Sequence, residues 1–179
     1  MTAAPDWLPP LVTLAAHGGQ WEVYVDAVYA VFKADLIDST PKFRGLRIGL
    51  RRHPMYDNRE WAFWHVIQEG NVEEDRMPDM RRCERIGWVR AVIQNAHDPR
   101  VKVWENVRRG NRRILLWLEA QDFLVVLAPR RKGYAMLVTA YPTDRGHTRR
   151  KLAGEYKEAQ KKAGPAGEAG PNTPSTHGG

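Results

Sequence analysis

Cysteine is almost absent: Cys83 is the only one in 179 residues. A single thiol supports neither an internal disulfide nor a thiolate zinc cluster, which fits a reducing, cytoplasmic compartment. Long apolar runs are missing too. No segment approaches the roughly 18 apolar residues of a membrane span, and the opening MTAAPDWLPP lacks the layout of an export signal, so no membrane partner is expected. Close sets of His, Asp and Glu at ligand spacing are also lacking. The one ExK triplet, Glu155-Tyr156-Lys157, falls on a basic segment without a partner acid, so neither a metal nor a cofactor is expected.

Acidic residues run short in the second half of the chain. Residues 1–99 carry 12 Lys and Arg against 14 Asp and Glu, whereas residues 100–162 carry 16 against 6. The formal net charge of +7 points to a polyanionic partner, and arginine outnumbers lysine 20 to 8. That preference suits planar, bidentate recognition of phosphate. Residues 1–40, by contrast, are net negative.

The apolar pattern gives the organisation. Trp21, Tyr24, Val25, Val28, Tyr29 and Phe32 recur at helical spacing within 20–36. Aromatic and β-branched residues between breakers predict strands at 45–50 and 60–67, and the polar run 69–78 reads as a loop. Asp79 is placed to cap a helix reaching to about residue 96, with Gly87 weakening its middle. Four strands follow at 101–105, 112–119, 122–128 and 134–141, joined by the short turns RRGN, AQ and PRRK of an antiparallel meander. A basic helix is expected over 148–162. The Gly/Pro/Ser/Thr-rich segment 163–179 has too few apolar residues to bury a core and is expected to be disordered. The domain organisation is thus an N-terminal helical extension (1–44), a globular domain (45–162) and a tail.

Pairing Ala128 with Gly133 would set Leu124 against Leu137 and Asp122 against Thr139. One sheet face would then be apolar throughout, from Ile114 and Leu116 to Met136 and Val138, and covered by the helices. The other would place Thr139 and Tyr141 beside Arg113, Leu115, Trp117 and Leu124, a half-polar cleft floor. A one-residue slip at PRRK would reverse the two hydroxyl residues, so that turn decides the site. His65 alternates with Trp61, Phe63 and Ile67 and reads equally as a buried structural imidazole or as a proton acceptor.

Four stretches carry a resemblance: FWHV at 63–66, the MRRCERIGWVRAVI helix, ILLWLEAQDFLVVLAPRRKGY, and the terminal LVTAYP. Together, over roughly 47–152, they resemble phage and prophage nucleases of the barnase, EndoU, colicin and RelE-like superfamily. The resemblance implies an α+β fold with helices packed on one face of a four-stranded antiparallel sheet. It also implies metal-independent endoribonuclease activity, often as a toxin. His65, Thr139 and Tyr141 then become catalytic candidates, with Arg85 as a phosphate-contacting or structural arginine. Trp88, Arg113, Arg130, Arg131 and Lys132 are candidate substrate contacts, and the expected partners are RNA (tRNA, rRNA or mRNA) and an acidic antitoxin or immunity protein. EndoU-type members pair two histidines with a lysine, whereas here no second histidine sits in an equivalent strand; His53 and His97 have no supporting pattern. The rival reading is a non-catalytic nucleic-acid-binding module using the same arginines.

Overall fold

Helix α1 (Trp21–Phe32) leads the described part of the chain into a π-helical turn, Lys33–Asp38, and then into two short strands, β1 (Lys42–Phe43) and β2 (Leu46–Gly49). The computed structural model describes residues 3–164 except Asn71 and Lys132. The expected tail, apart from residues 163 and 164, therefore lies outside the described residues, as does the candidate contact Lys132. Next come helix α2 (Trp61–Ile67), a small ribbon of β3 (Gln68–Glu69) and β4 (Met77–Pro78), and helices α3 (Met80–Glu84) and α4 (Ile86–Gln94). The meander β5 (Val101–Arg108), β6 (Asn111–Leu118), β7 (Phe123–Pro129) and β8 (Tyr134–Pro142) precedes α5 (Gly146–Ala163).

The general α+β expectation holds, but the sheet is larger and mixed. Six strands run in the order β1-β2-β8-β7-β6-β5, and β2 lies parallel to β8, with Ile48 opposite Ala135. A strand pairing across the intervening helices leaves no local turn signal, which is why the meander alone suggested four antiparallel strands. Segment 61–67 is a helix, not a strand. Its buried residues, Ala62, Phe63, Val66 and Ile67, recur at helical spacing, but six apolar residues in seven leave the period unreadable from sequence.

The helix expected over 79–96 breaks at Arg85 (φ −98°, ψ 15°) into α3 and α4. Asp79 caps α3 as expected, its Oδ1 accepting from the Arg81 amide at 2.9 Å. Gly87 is a packing position: a Cβ there would lie 3.3 Å from the Pro9 ring. The N-terminal segment crosses α4 at this point, and Trp88 Nε1 donates to the Pro9 carbonyl at 2.9 Å.

Helices cover both faces of the sheet rather than one. The main core joins Tyr24, Val28 and Phe32 of α1, Phe63 and Ile67 of α2, and Ile86 and Val92 of α4 to Leu116, Leu118, Val125, Leu127 and Leu137. A smaller cluster on the opposite face, Trp104, Leu115, Trp117, Leu124 and Val126, is covered by Leu152, Tyr156 and Ala159 of α5.

The β7–β8 register corrects the expected pairing. Leu124 faces Tyr141 and Val126 faces Thr139, and an irregularity between Val126 and Leu127 sets Leu127 against Leu137. The register displacement is even, so Thr139 and Tyr141 stay on the face of Leu115 and Trp117. The bulge, however, carries Leu137 and Ala135 to the main core and leaves Val138 with the smaller cluster.

Candidate functional site

The bulged strand β8 positions the first group. Thr139 and Tyr141 line a cleft of about 560 Å³ floored by Leu115, Val126 and Val138, rimmed by Arg108, Arg109 and Arg113, and closed on one side by Leu152 of α5. Arg113 is half-buried, and burial pushes its guanidinium pKa down, assisted by the charges of Arg130 and Arg108. Among the described residues none of these three arginines is in an ion pair, whereas Arg112 next door pairs with Glu105 at 2.6 Å. Three guanidinium groups without ion pairs among the described residues thus rim one cleft, and an acid, Glu155, accepts from the cleft-lining Asn106 side chain at 2.9 Å.

Tyr141 borders a second cavity as well. This smaller one, about 140 Å³, is lined by Glu69, Asp79, Arg81, Arg82 and Arg145. The Arg82 guanidinium lies 5.5 Å from the centre of the Tyr141 ring. Burial raises the phenol pKa, with Arg108 and Arg82 pulling the other way, so the hydroxyl stays protonated near neutrality. The Arg82 side chain is only 12% exposed, with its Nε 3.9 Å from Asp79 Oδ2. Arg81 and Arg145 are neutralised by Asp144 at 2.8 Å and Glu69 at 3.1 Å.

His65 lies in the last turn of α2, and α2 packs against β8. Its ring stacks on Trp61 with centroids 4.3 Å apart, and the Arg51 guanidinium sits 4.3 Å from the same indole. Arg76 Nη2 donates to the His65 carbonyl at 3.0 Å, and the imidazole Nδ1 is enclosed without a partner among the described residues. Burial pushes the imidazole pKa down to about 4; Arg76 adds to the shift, Glu73 opposes it, and Arg82 and Arg51 add further. The ring is therefore neutral at physiological pH. The Arg82 charge acts on both His65 and Tyr141.

The structure thus brings Thr139, Tyr141 and Arg113 to one cleft, while Arg130, whose charge acts on Arg113, lines a separate hollow and His65 lines neither cavity at Tyr141. Arg130 and Arg131 line a further hollow of about 450 Å³ with Arg112 and Gly110, where the β5–β6 and β7–β8 turns meet at one end of the sheet. Arg85 and Trp88 are elsewhere. Arg85 donates to the Arg81 carbonyl and to Glu84, at 3.0 and 3.4 Å, and lies 5.1 Å from the Trp88 ring centre. Trp88 is a core residue, 8% exposed and edge-on to Phe123, so its ring is not open to a base.

Arg82 and Arg108 were not singled out from sequence. Arg82 and Arg85 share a face by their spacing of three, and only the helix break at Arg85 separates their surroundings. Arg108 is the last residue of β5, paired with Asn111 across the hairpin, and nothing local says that its side chain lines the cleft.

Among the described residues, no group of three or more His, Cys, Asp or Glu side chains is placed to hold a metal ion, and no helix is long and apolar enough to cross a membrane. No family model matches the chain, and neither the curated proteins nor the solved structures include a match.

Proposed function

We propose that this protein is a metal-independent endoribonuclease whose scissile phosphate lies at Tyr141, between the Arg82 side and the arginine-rimmed cleft. The observation that carries the reading is the position of Arg82, packed over the Tyr141 ring while its charge acts on His65. In the proposed reaction the neutral imidazole of His65 accepts the 2′-hydroxyl proton, and the resulting oxygen attacks the adjacent phosphorus. The P–O5′ bond breaks, and the Tyr141 hydroxyl gives its proton to the leaving oxygen. The products are a 2′,3′-cyclic phosphate and a 5′-hydroxyl end. Arg82, Arg108 and the Thr139 hydroxyl offset the charge growing on the phosphate oxygens, where removing one such donor costs a factor of about 10²–10³ in rate. A toxin role, with an acidic protein blocking the arginine cleft, follows the same charge logic.

The test is incubation of the purified protein with RNA and with the matching DNA, with and without EDTA, followed by analysis of the ends. Cleavage with EDTA, of RNA alone, with cyclic phosphate ends, supports the reading. Cleavage of a strand carrying a 2′-deoxy residue at the cut site rules it out.

A second reading, nucleic-acid binding without catalysis, is favoured by the enclosure of His65, whose Nδ1 is buried and whose depressed pKa makes it a weak base. On that reading His65→Ala leaves affinity unchanged, and the wild type has no cleavage to lose.

A further inference from the structure

The 560 Å³ cleft is larger than one phosphate requires, and its chemistry is divided. Its floor is aliphatic, from Leu115, Val126 and Val138, and its charge lies on the rim at Arg108, Arg109 and Arg113. A free phosphate or an acidic peptide would use the rim and leave the floor wet. The volume lies within the roughly 300–1,000 Å³ of sites that enclose a small organic ligand. Beyond the rim, the charge continues onto the paired hairpin turns through Arg130 and Arg131.

We infer that the cleft binds an unpaired nucleotide next to the cut, with its base on the aliphatic floor and its phosphate on Arg108 and Arg113, and that the strand then runs past Arg130. The substrate is single-stranded at this flank. A duplex keeps its bases stacked inside and presents only phosphates and groove edges to a concave site, whereas a single strand offers base and phosphate separately. Holding Arg113 half-buried among the like charges of Arg130 and Arg108 is unfavourable in the free protein, and a phosphodiester strand relieves it. The inference names the substrate class of the proposed ribonuclease and shares its phosphate site.

The experiment measures anisotropy of a labelled 2′-O-methyl 10-mer, which cannot be cleaved, as a single strand and annealed to its complement. Arg113→Gln/Arg130→Gln and Arg130→Gln alone are measured over a range of salt. The exposed turn position of Arg130 serves as the variant that keeps the sheet intact. The single strand binds the wild type at least about tenfold more tightly than the duplex. Each arginine removed lowers the slope of log affinity against log salt by about 0.7, so the double variant loses about 1.4. Equal affinity for duplex and single strand overturns the inference, as does an unchanged salt slope in both variants. Polyglutamate competing as well as the single strand also overturns it, since that shows a general acidic-partner surface. Cleavage is scored separately on unmodified RNA: strand binding that behaves as above without any cleavage sinks the ribonuclease reading and leaves the cleft assignment standing.

Discussion

Arg82 lies 5.5 Å from the centre of the Tyr141 ring, and the two side chains come from α3 and β8, segments nearly sixty residues apart in sequence. The contact holds the phenol at the boundary between the arginine-rimmed cleft and the smaller cavity beneath α3. On the proposed function, a protonated hydroxyl at this boundary donates to the phosphate.

Tyr141→Phe tests that donor directly. The ring and its contact with Arg82 remain, so the melting temperature should stay within about 2 °C of wild type. Only the hydroxyl is lost, and kcat for RNA cleavage should fall about 10²- to 10³-fold with little change in KM. A Phe variant with full activity removes Tyr141 from the chemistry, while one that loses stability assigns the hydroxyl to the fold.

The depressed pKa of His65 predicts the pH dependence of the reaction. A base with its ordinary pKa near 6.5 gives a kcat/KM profile that falls below that pH. With the imidazole held down to about 4, the acid limb should lie well below pH 6. A wild-type limb near 6.5 would contradict the burial-dominated shift, and a folded Arg76→Gln variant, which loses one of the charges that lower the pKa, should move the limb upward.

The same shift enters folding stability. The unfolded chain binds a proton at His65 below about 6.5, while the folded chain resists it until about 4. The contribution is therefore complete above the unfolded value and is lost as pH falls from about 6.5 through 4. Its size is at most about 3–4 kcal/mol, since the shift is about 2.5 pH units at about 1.4 kcal/mol each. Denaturant melts at pH 7, 5.5 and 4 on wild type and His65→Gln check it, with the stability loss shallower in the variant.

How far the site could be read from sequence depended on the type of contact. The period-two spacing of Thr139 and Tyr141 was legible because strand alternation is local, and the even register displacement preserved it. The bulge that moved Leu137 into the core was not, because no residue there marks the extra position. The helix at α2 was hidden by its own apolar density, and Arg82 by its equivalence to Arg85 on one helical face. The parallel pairing of β2 with β8 depends on a crossover whose register no short motif specifies. The basic half of the chain was visible as composition. Arg108, Arg109 and Arg113 come together because they flank the single β5–β6 turn, whereas Arg130 and Arg131 join that end of the sheet only because the β7–β8 turn lies beside it.

The last prediction concerns the support beneath the site. Trp117 and Thr143 are both fully buried, and the indole Nε1 donates to Thr143 Oγ1 at 3.0 Å. The Thr143 amide in turn donates to the Asp122 carbonyl at 2.7 Å, which ties the end of β8 to the turn before β7. Thr143→Val keeps the volume but leaves the indole donor buried without a partner, at a cost of about 1–3 kcal/mol. Thr143→Ser keeps an acceptor and should recover most of that loss in a thermal melt. Tyr141 is two residues upstream, near the end of β8, so the Val variant should also weaken single-strand binding by loosening the strand that carries the hydroxyl, whereas the Ser variant should bind like wild type. A Val variant as stable as wild type would show that the hydrogen bond has no part in holding the site, and a loss in Ser alone would assign the effect to packing of the methyl group that Ser lacks.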